Sequence, residues 1–357
     1  MTAEKISELL KEKKVDAALV SSPANIRYLS GFAGTESYLY LTPERKVILT
    51  DSRYTLQAEE EGKGCEVQTM SRERSYGVML GELLREDGVE RLGFEENAML
   101  YGTWNSLWKK SGFGPEHWFM LGDSLSELRV MKNEQELQWM EKAESIGDAA
   151  FSYILNELKP GVTELEIAAK LEYYMRSHGA EGTSFDTIVA SGYHSAMPHA
   201  VPSEKKLEAG DFVTMDFGCK YHGYCSDMTR TVVIGKASER QKEVYNVVLK
   251  AQLTALKGLR PGMTCAEGDR LARDVIEKAG YGQYFGHSLG HSVGLEIHEK
   301  PALSPKDGHV LQAGMVETVE PGIYIPDFGG VRIEDMVVLT ENGVRNLTHS
   351  PKELIEI

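Results

Sequence analysis

The chain has 357 residues, enough for about two domains. Hydrophobic residues make up 41% and charged residues 26%, an ordinary globular balance that excludes wholesale disorder. Lysine and arginine total 39 against 54 aspartates and glutamates; the net charge of −15 argues against nucleic-acid or anionic-membrane partners.

At the N-terminus, Met1-Thr2-Ala3-Glu4-Lys5-Ile6 leads into a charged amphipathic helix over 4–13 rather than an apolar signal core. An apolar run over 15–22 reads as a strand. Strands over 38–41 and 46–50 are separated by Thr42-Pro43-Glu44-Arg45, a hairpin break. Helical patterns over 53–61 and 75–86 bracket a strand over 66–70, and further strands are expected over 91–94 and 117–121. This alternation predicts an α/β domain over residues 1–125, with a mostly parallel or mixed sheet. A second domain is expected over 126–357. It opens with a long helix from Asn133, in which Leu137, Met140, Ala143, Gly147, Ala150, Ile154 and Leu158 recur on one face until Pro160-Gly161. No run of 18 apolar residues offers a membrane span. Cys65, Cys219, Cys225 and Cys265 form neither a C-x-x-C metal pattern nor a disulfide framework. The expectation is a cytoplasmic protein with reduced thiols.

The second domain carries an internal repeat. Leu158-Lys159-Pro160-Gly161-Val162-Thr163 returns as Leu259-Arg260-Pro261-Gly262-Met263-Thr264, and both copies lead into a helix that stops at a glycine, Gly179 or Gly280. A duplicated core predicts a pseudo-two-fold axis with a site at the seam. Each half also supplies an acidic hairpin. In the first, a two-residue loop at Tyr221-His222 sets Lys220 against Gly223 and, by the same register, Asp216 against Asp227. Carboxylates so placed repel unless a cation or proton lies between them; otherwise one of them faces solvent or the register slips. In the second half, Glu320 and Glu334 flank a longer loop. Glu317 and Asp335 beside them read as solvated charges, with Glu317 on the strand face opposite Glu320.

The segment Gly286-His287-Ser288-Leu289-Gly290-His291-Ser292-Val293-Gly294-Leu295-Glu296-Ile297-His298-Glu299 holds three of the ten histidines. It also matches G-x-S-x-G twice, at Ser288 and at Ser292, which offers a serine hydrolase as a rival reading. A nucleophile elbow needs a preceding strand and a following helix; glycines precede this segment and Pro301 soon interrupts the chain after it. Asp216, Asp227, His291, Glu320 and Glu334 together make a hard, oxygen-rich set with one imidazole. It suits Mn²⁺ or Co²⁺ better than structural zinc, and its four carboxylates neutralise two divalent ions that activate a shared water.

Five ordered motifs carry a family resemblance: Met215-Asp216-Phe217-Gly218, Ser226-Asp227-Met228-Thr229-Arg230-Thr231, the Gly290–Glu299 segment, Val319-Glu320-Pro321-Gly322-Ile323-Tyr324 and Arg332-Ile333-Glu334-Asp335. They resemble the pita-bread metallopeptidases of the prolidase and aminopeptidase P branch. Ser22-Pro23-Ala24-Asn25-Ile26-Arg27-Tyr28-Leu29-Ser30-Gly31-Phe32 resembles that branch's creatinase-type N-terminal domain. The resemblance implies an α+β pita-bread catalytic domain that hydrolyses the bond between an N-terminal residue and proline. It implies two divalent ions, Mn²⁺ foremost with Co²⁺ or Zn²⁺ as alternatives. Asp216 would hold one ion, His291 and Glu320 the other, with Asp227 and Glu334 bridging and Glu320 also shuttling a proton. His199 would lie near the scissile bond, His298 at the oxyanion, His287 in the proline pocket and Arg332 close to the substrate. Short Xaa-Pro peptides as substrates and a homodimer are further implications of the resemblance. Dipeptidase and aminopeptidase action both stay open, as does a non-catalytic binding protein that has kept the fold. Two positions depart from the family pattern: Ser292, where glycine is frequent and where a larger residue would tighten the pocket floor, and Glu317, usually apolar.

Overall fold

The computed structural model describes residues 3–357, so Met1 and Thr2 of the opening stretch lie outside the described residues. The chain divides between Arg129 and Val130 into two units, each with its own core; the sequence expectation set this boundary near residue 125.

In the first unit six strands form a mixed sheet, ordered Glu66–Thr69, Lys46–Thr50, Ser37–Leu41, Ala17–Val20, Leu92–Phe94 and Trp118–Met120. The central Ala17–Val20 is wholly buried because both sheet faces are covered. Ala18 and Val20 join Ile6, Leu10 and Ile26 on one face, while Ala17 and Leu19 join Met79, Leu80 and Leu83 on the other. The strand expected over 15–22 ends sooner, since Ser22 caps a helix, Pro23–Ser30, by accepting from the Asn25 N–H. That helix and Tyr101–Ser111 are additions to the elements expected from sequence.

The second unit is built twice. Helices Glu134–Ile154 and Glu164–Ser177 cover a sheet of Ile188–Ser191, Phe212–Phe217 and Met228–Val233; helices Glu239–Gly258 and Cys265–Lys278 accompany a sheet containing Gly290–Ser292, Val316–Val319 and Asp335–Thr340. Each half has its own apolar cluster. Capping boxes start all four helices, at Asn133/Glu136, Thr163/Glu166, Ser238/Gln241 and Thr264/Glu267; each cap is worth about 1 kcal/mol. The repeat read from sequence extends to backbone contacts, with Gly161 N–H donating to Leu207 O in one half and Gly262 N–H to Leu311 O in the other.

The first acidic hairpin corrects the expected register. Its turn is His222-Gly223, with Tyr221 opposite Tyr224 and Lys220 opposite Cys225, so Asp216 faces Thr229 rather than Asp227. The slip is two residues, one full strand period, so the two aspartates become diagonal neighbours and keep a common face. His222 at φ +49° and Gly223 at φ +79° supply the left-handed pair that such a turn requires. Among the described residues no helix is long and apolar enough to cross a membrane.

Candidate metal centre

The five expected ligands sit in or beside strands along the seam. Asp216 is in Phe212–Phe217, Asp227 precedes Met228–Val233, and His291 is central in Gly290–Ser292. Glu320 follows Val316–Val319, and Glu334 precedes Asp335–Thr340. In the second half Val319 pairs with Asp335 and Gly322 with Arg332; the same register sets Glu320 opposite Glu334. An isolated bridge between Thr229 and Glu334 joins the halves. The seam is tight. A Cβ at Gly290 would meet Thr318 O at 1.9 Å, and one at Gly218 would meet Ser226 O at the same distance.

All nine sequence-predicted residues (Asp216, Asp227, His291, Glu320, Glu334, His199, His287, His298 and Arg332) line one cavity of about 700 Å³. Donor atoms of Asp227, His291 and Glu334 lie within 4.8 Å of one another. His291 Nε2 stands 3.5 Å from Asp227 Oδ2 and 3.6 Å from Glu320 Oε1, too far for hydrogen bonds and close enough to share a cation. Its Nδ1–H donates to Ser292 O at 3.1 Å, which leaves the Nε2 lone pair facing the carboxylates. Burial lowers the His291 pKa to about 4, so the ring is neutral at physiological pH.

The carboxylates answer oppositely. Burial, together with mutual repulsion, raises Asp227 and Glu334 well above the usual range. Burial also raises Glu320 to about 8, with Arg332 opposing and Asp216 reinforcing the shift. Asp216 Oδ1 is buried and lacks a hydrogen-bond partner among the described residues. A neutral imidazole, crowded carboxylates and an orphaned oxygen fit divalent cations held between them.

Around them runs a hydrogen-bonded frame. Arg332 donates from Nη2 to Asp216 Oδ2 (2.6 Å), from Nη1 to Tyr324 Oη (2.7 Å) and from Nε to Thr229 Oγ1 (3.0 Å). Thr229 donates to Glu334 Oε2 at 2.6 Å. Tyr324 Oη lies 2.9 Å from His287 Nε2, and burial lowers the His287 pKa to about 4. The His298 ring is 4.4 Å from that of His291. His199 rides a loop whose two ends are tied to buried Glu164 through Ser191, His194 and Ser203. Sequence reasoning assigned no role to Thr229, Tyr324 or Glu164. Thr229 alternates with Asp227 and Thr231 along one strand, a signal that was readable; Glu164 sits 35 residues before His199 and left none.

Three expectations need correction. Glu317 and Asp335, read as solvated, are both fully buried at 0% exposure. Asp335 is held by Arg230 at 2.8 Å, and Glu317 Oε1 accepts from Ser292 Oγ at 2.6 Å. Ser292 therefore turns away from the cavity floor, and the two family departures are one contact. As the flanking glycines and Pro301 led one to expect, there is no nucleophile elbow: Gly290–Ser292 is a strand, and the next regular element is another strand, Glu299–Leu303, rather than a helix.

Residues 138–341 match metallopeptidase family M24, and residues 3–130 match the creatinase/prolidase N-terminal domain. The chain belongs to metallopeptidase family M24. It carries that family's pita-bread catalytic domain behind a creatinase-type domain. An Xaa-Pro dipeptidase structure from Bacillus anthracis is 42% identical, with 99% of each chain covered and a TM-score of 0.95. An X-Pro aminopeptidase structure from Thermotoga maritima is 38% identical, covering 98% of this chain and 100% of that one, with a TM-score of 0.91. An Xaa-Pro dipeptidase of Pyrococcus horikoshii is 41% identical over 99% of this M24 chain and 98% of its own.

Proposed function

We propose that this M24 metallopeptidase hydrolyses the bond between an N-terminal residue and proline in short peptides. The observation that carries the reading is the convergence of Asp216, Asp227, His291, Glu320 and Glu334, drawn from both halves, on one cavity. Relatives named Xaa-Pro dipeptidase and X-Pro aminopeptidase support the substrate class.

Asp216 would hold one divalent ion, His291 and Glu320 the other, and Asp227 and Glu334 both; the carboxylate-rich set favours Mn²⁺, with Co²⁺ or Zn²⁺ as alternatives. When bound, the ions polarise the scissile carbonyl and acidify a water. Glu320 takes the proton that this water gives up and returns it to the proline nitrogen as the amide breaks. His298 and His199 place donors where negative charge develops on the carbonyl oxygen, meeting charge that exists only in the transition state. His287, fixed by Tyr324, forms the wall for the proline ring. Arg332 orients Asp216 through the bond from its Nη2 to Oδ2.

We also propose a cytoplasmic homodimer. Four free cysteines support the compartment, and exposed Tyr193, Met197 and Val201 beside His199 give a contact its apolar element. The test of the reaction is exhaustive chelation and then metal add-back, read as Xaa-Pro hydrolysis. Loss and recovery are expected. Unchanged hydrolysis with covalent fluorophosphonate labelling would instead revive Ser288 or Ser292. Sedimentation at equilibrium tests the dimer.

A further inference from the structure

Whether the substrate ends at the proline or continues past it is the open question, and an answer rests on the Xaa-Pro reading above. A dipeptide carries its carboxylate on the proline itself, so a site made for dipeptides needs a cation beside the proline ring. Arg332 is the one permanent cation among the described residues lining the cavity. Each of its three nitrogens already donates, to Asp216, Tyr324 and Thr229, and its side chain is only 3% exposed. Asp186 at the rim adds a further negative charge. A proline carboxylate would therefore lose its hydration without gaining a free cationic side chain in this cavity.

Past Ser288 and Ala302 the cavity continues. These two residues also line an open groove formed with Ser304, Lys306, Asp307 and His309. Asp307 is occupied, accepting from Ala302 N–H at 3.1 Å and lying 2.6 Å from His309 Nδ1. Lys306 is exposed, and among the described residues its ammonium has no hydrogen-bond or ionic partner. Ser288 is next in the chain to His287, the proposed wall of the proline site, so the groove leads away from the proline side.

We propose that the substrates are peptides in which at least one residue lies beyond the proline. The extra chain passes Ser288 and Ala302 into the groove, where Lys306 meets the C-terminal carboxylate. The action is thus that of an aminopeptidase, with bare Xaa-Pro dipeptides as poor substrates.

The experiment compares kcat/KM of the metal-loaded full-length enzyme on Ala-Pro, Ala-Pro-amide, Ala-Pro-Ala and Ala-Pro-Ala-amide. Ala-Pro-Ala should exceed Ala-Pro by at least about tenfold, and amidation should improve the dipeptide, because it removes an unpaired charge. For the tripeptide the order reverses: the free acid should exceed its amide by about two- to fivefold, the scale of an exposed ion pair. Lys306→Ala should bring that ratio to about one, and Lys306→Arg should restore it. Ala-Pro cleaved as well as Ala-Pro-Ala overturns the inference while leaving the Xaa-Pro reading intact. A tripeptide acid-to-amide ratio unmoved by Lys306→Ala overturns the groove assignment. Hydrolysis of none of the four overturns both readings.

Discussion

The two halves of the catalytic unit support their histidine-bearing segments by different means. In the first, Glu164 is a lone buried carboxylate that gathers the N–H and Oγ of both Ser191 and Ser203, together with His194 Nδ1, and so ties both ends of the loop carrying His199. In the second, Asp269 and Arg273 form an ion pair at 2.6 Å; Asp269 accepts from Leu289 N–H, and Arg273 donates to Phe285 O and His287 O, bracketing His287. The acidic hairpins differ as well, offset by two residues in the first half and in step in the second. A duplicated frame thus keeps its helices, caps and strands while the groups at the seam diverge. Asymmetry at the seam is what gives one site from two similar halves.

The largest expected effect comes from the seam itself. Glu334→Gln should lower kcat/KM on an Xaa-Pro peptide by on the order of 10³-fold. The same change should raise the Tm of the metal-free protein, because it removes one of four crowded carboxylates. A Tm that falls together with activity would mean a merely structural residue.

Next come the two supports. Asp269→Asn leaves Arg273 uncompensated and should destabilise by about 3–5 kcal/mol in denaturant unfolding. Glu164→Ala strands several donors and should cost about 1–3 kcal/mol. The hydrogen bonds to Glu164 outweigh its burial and hold its pKa below the usual value. Its contribution is therefore complete above the ordinary carboxylate range and disappears as pH falls through that lowered value. Equal losses from both substitutions at neutral pH would remove the distinction between the supports.

Thr229→Val keeps shape but deprives Glu334 and Arg332 of a shared hydroxyl. Metal affinity should drop by about 10–100-fold in titration calorimetry, with little change in fold.

The smallest effect belongs to Glu317. Burial raises its pKa to about 8, against 4.5 when unfolded; Ser292 and Lys132 oppose the shift, while Asp307 and Glu299 reinforce it. Between those pH values the folded state binds more protons, so stability falls as pH rises and the cost is complete above pH 8. Glu317→Gln should raise Tm by a few degrees well above that pH and leave it nearly unchanged in mild acid. A rise of equal size in both conditions would contradict the assignment.

The repeat, the five carboxylate and imidazole positions and most strands were legible in the sequence because each leaves a local mark. Pro-Gly before a capping box, alternating apolar residues and glycine-spaced histidines are marks of this kind. Register was less legible: Tyr221-His222 and His222-Gly223 both make two-residue loops, and the left-handed preference of Gly223 decided between them. Burial of Glu317 and Asp335 was invisible, since their partners Ser292 and Arg230 lie 25 and 105 positions away. The same kind of separation hid Glu164 as the anchor of the His199 loop.

Equilibrium binding of Mn²⁺ to the chelator-stripped protein probes the shared site most directly. Two ions per chain are expected for the wild type, and fewer than one at the same free Mn²⁺ for Asp227→Asn and for Glu334→Gln, which come from opposite halves. Two ions retained by either variant, or none bound by the wild type, would contradict a centre built jointly by both halves.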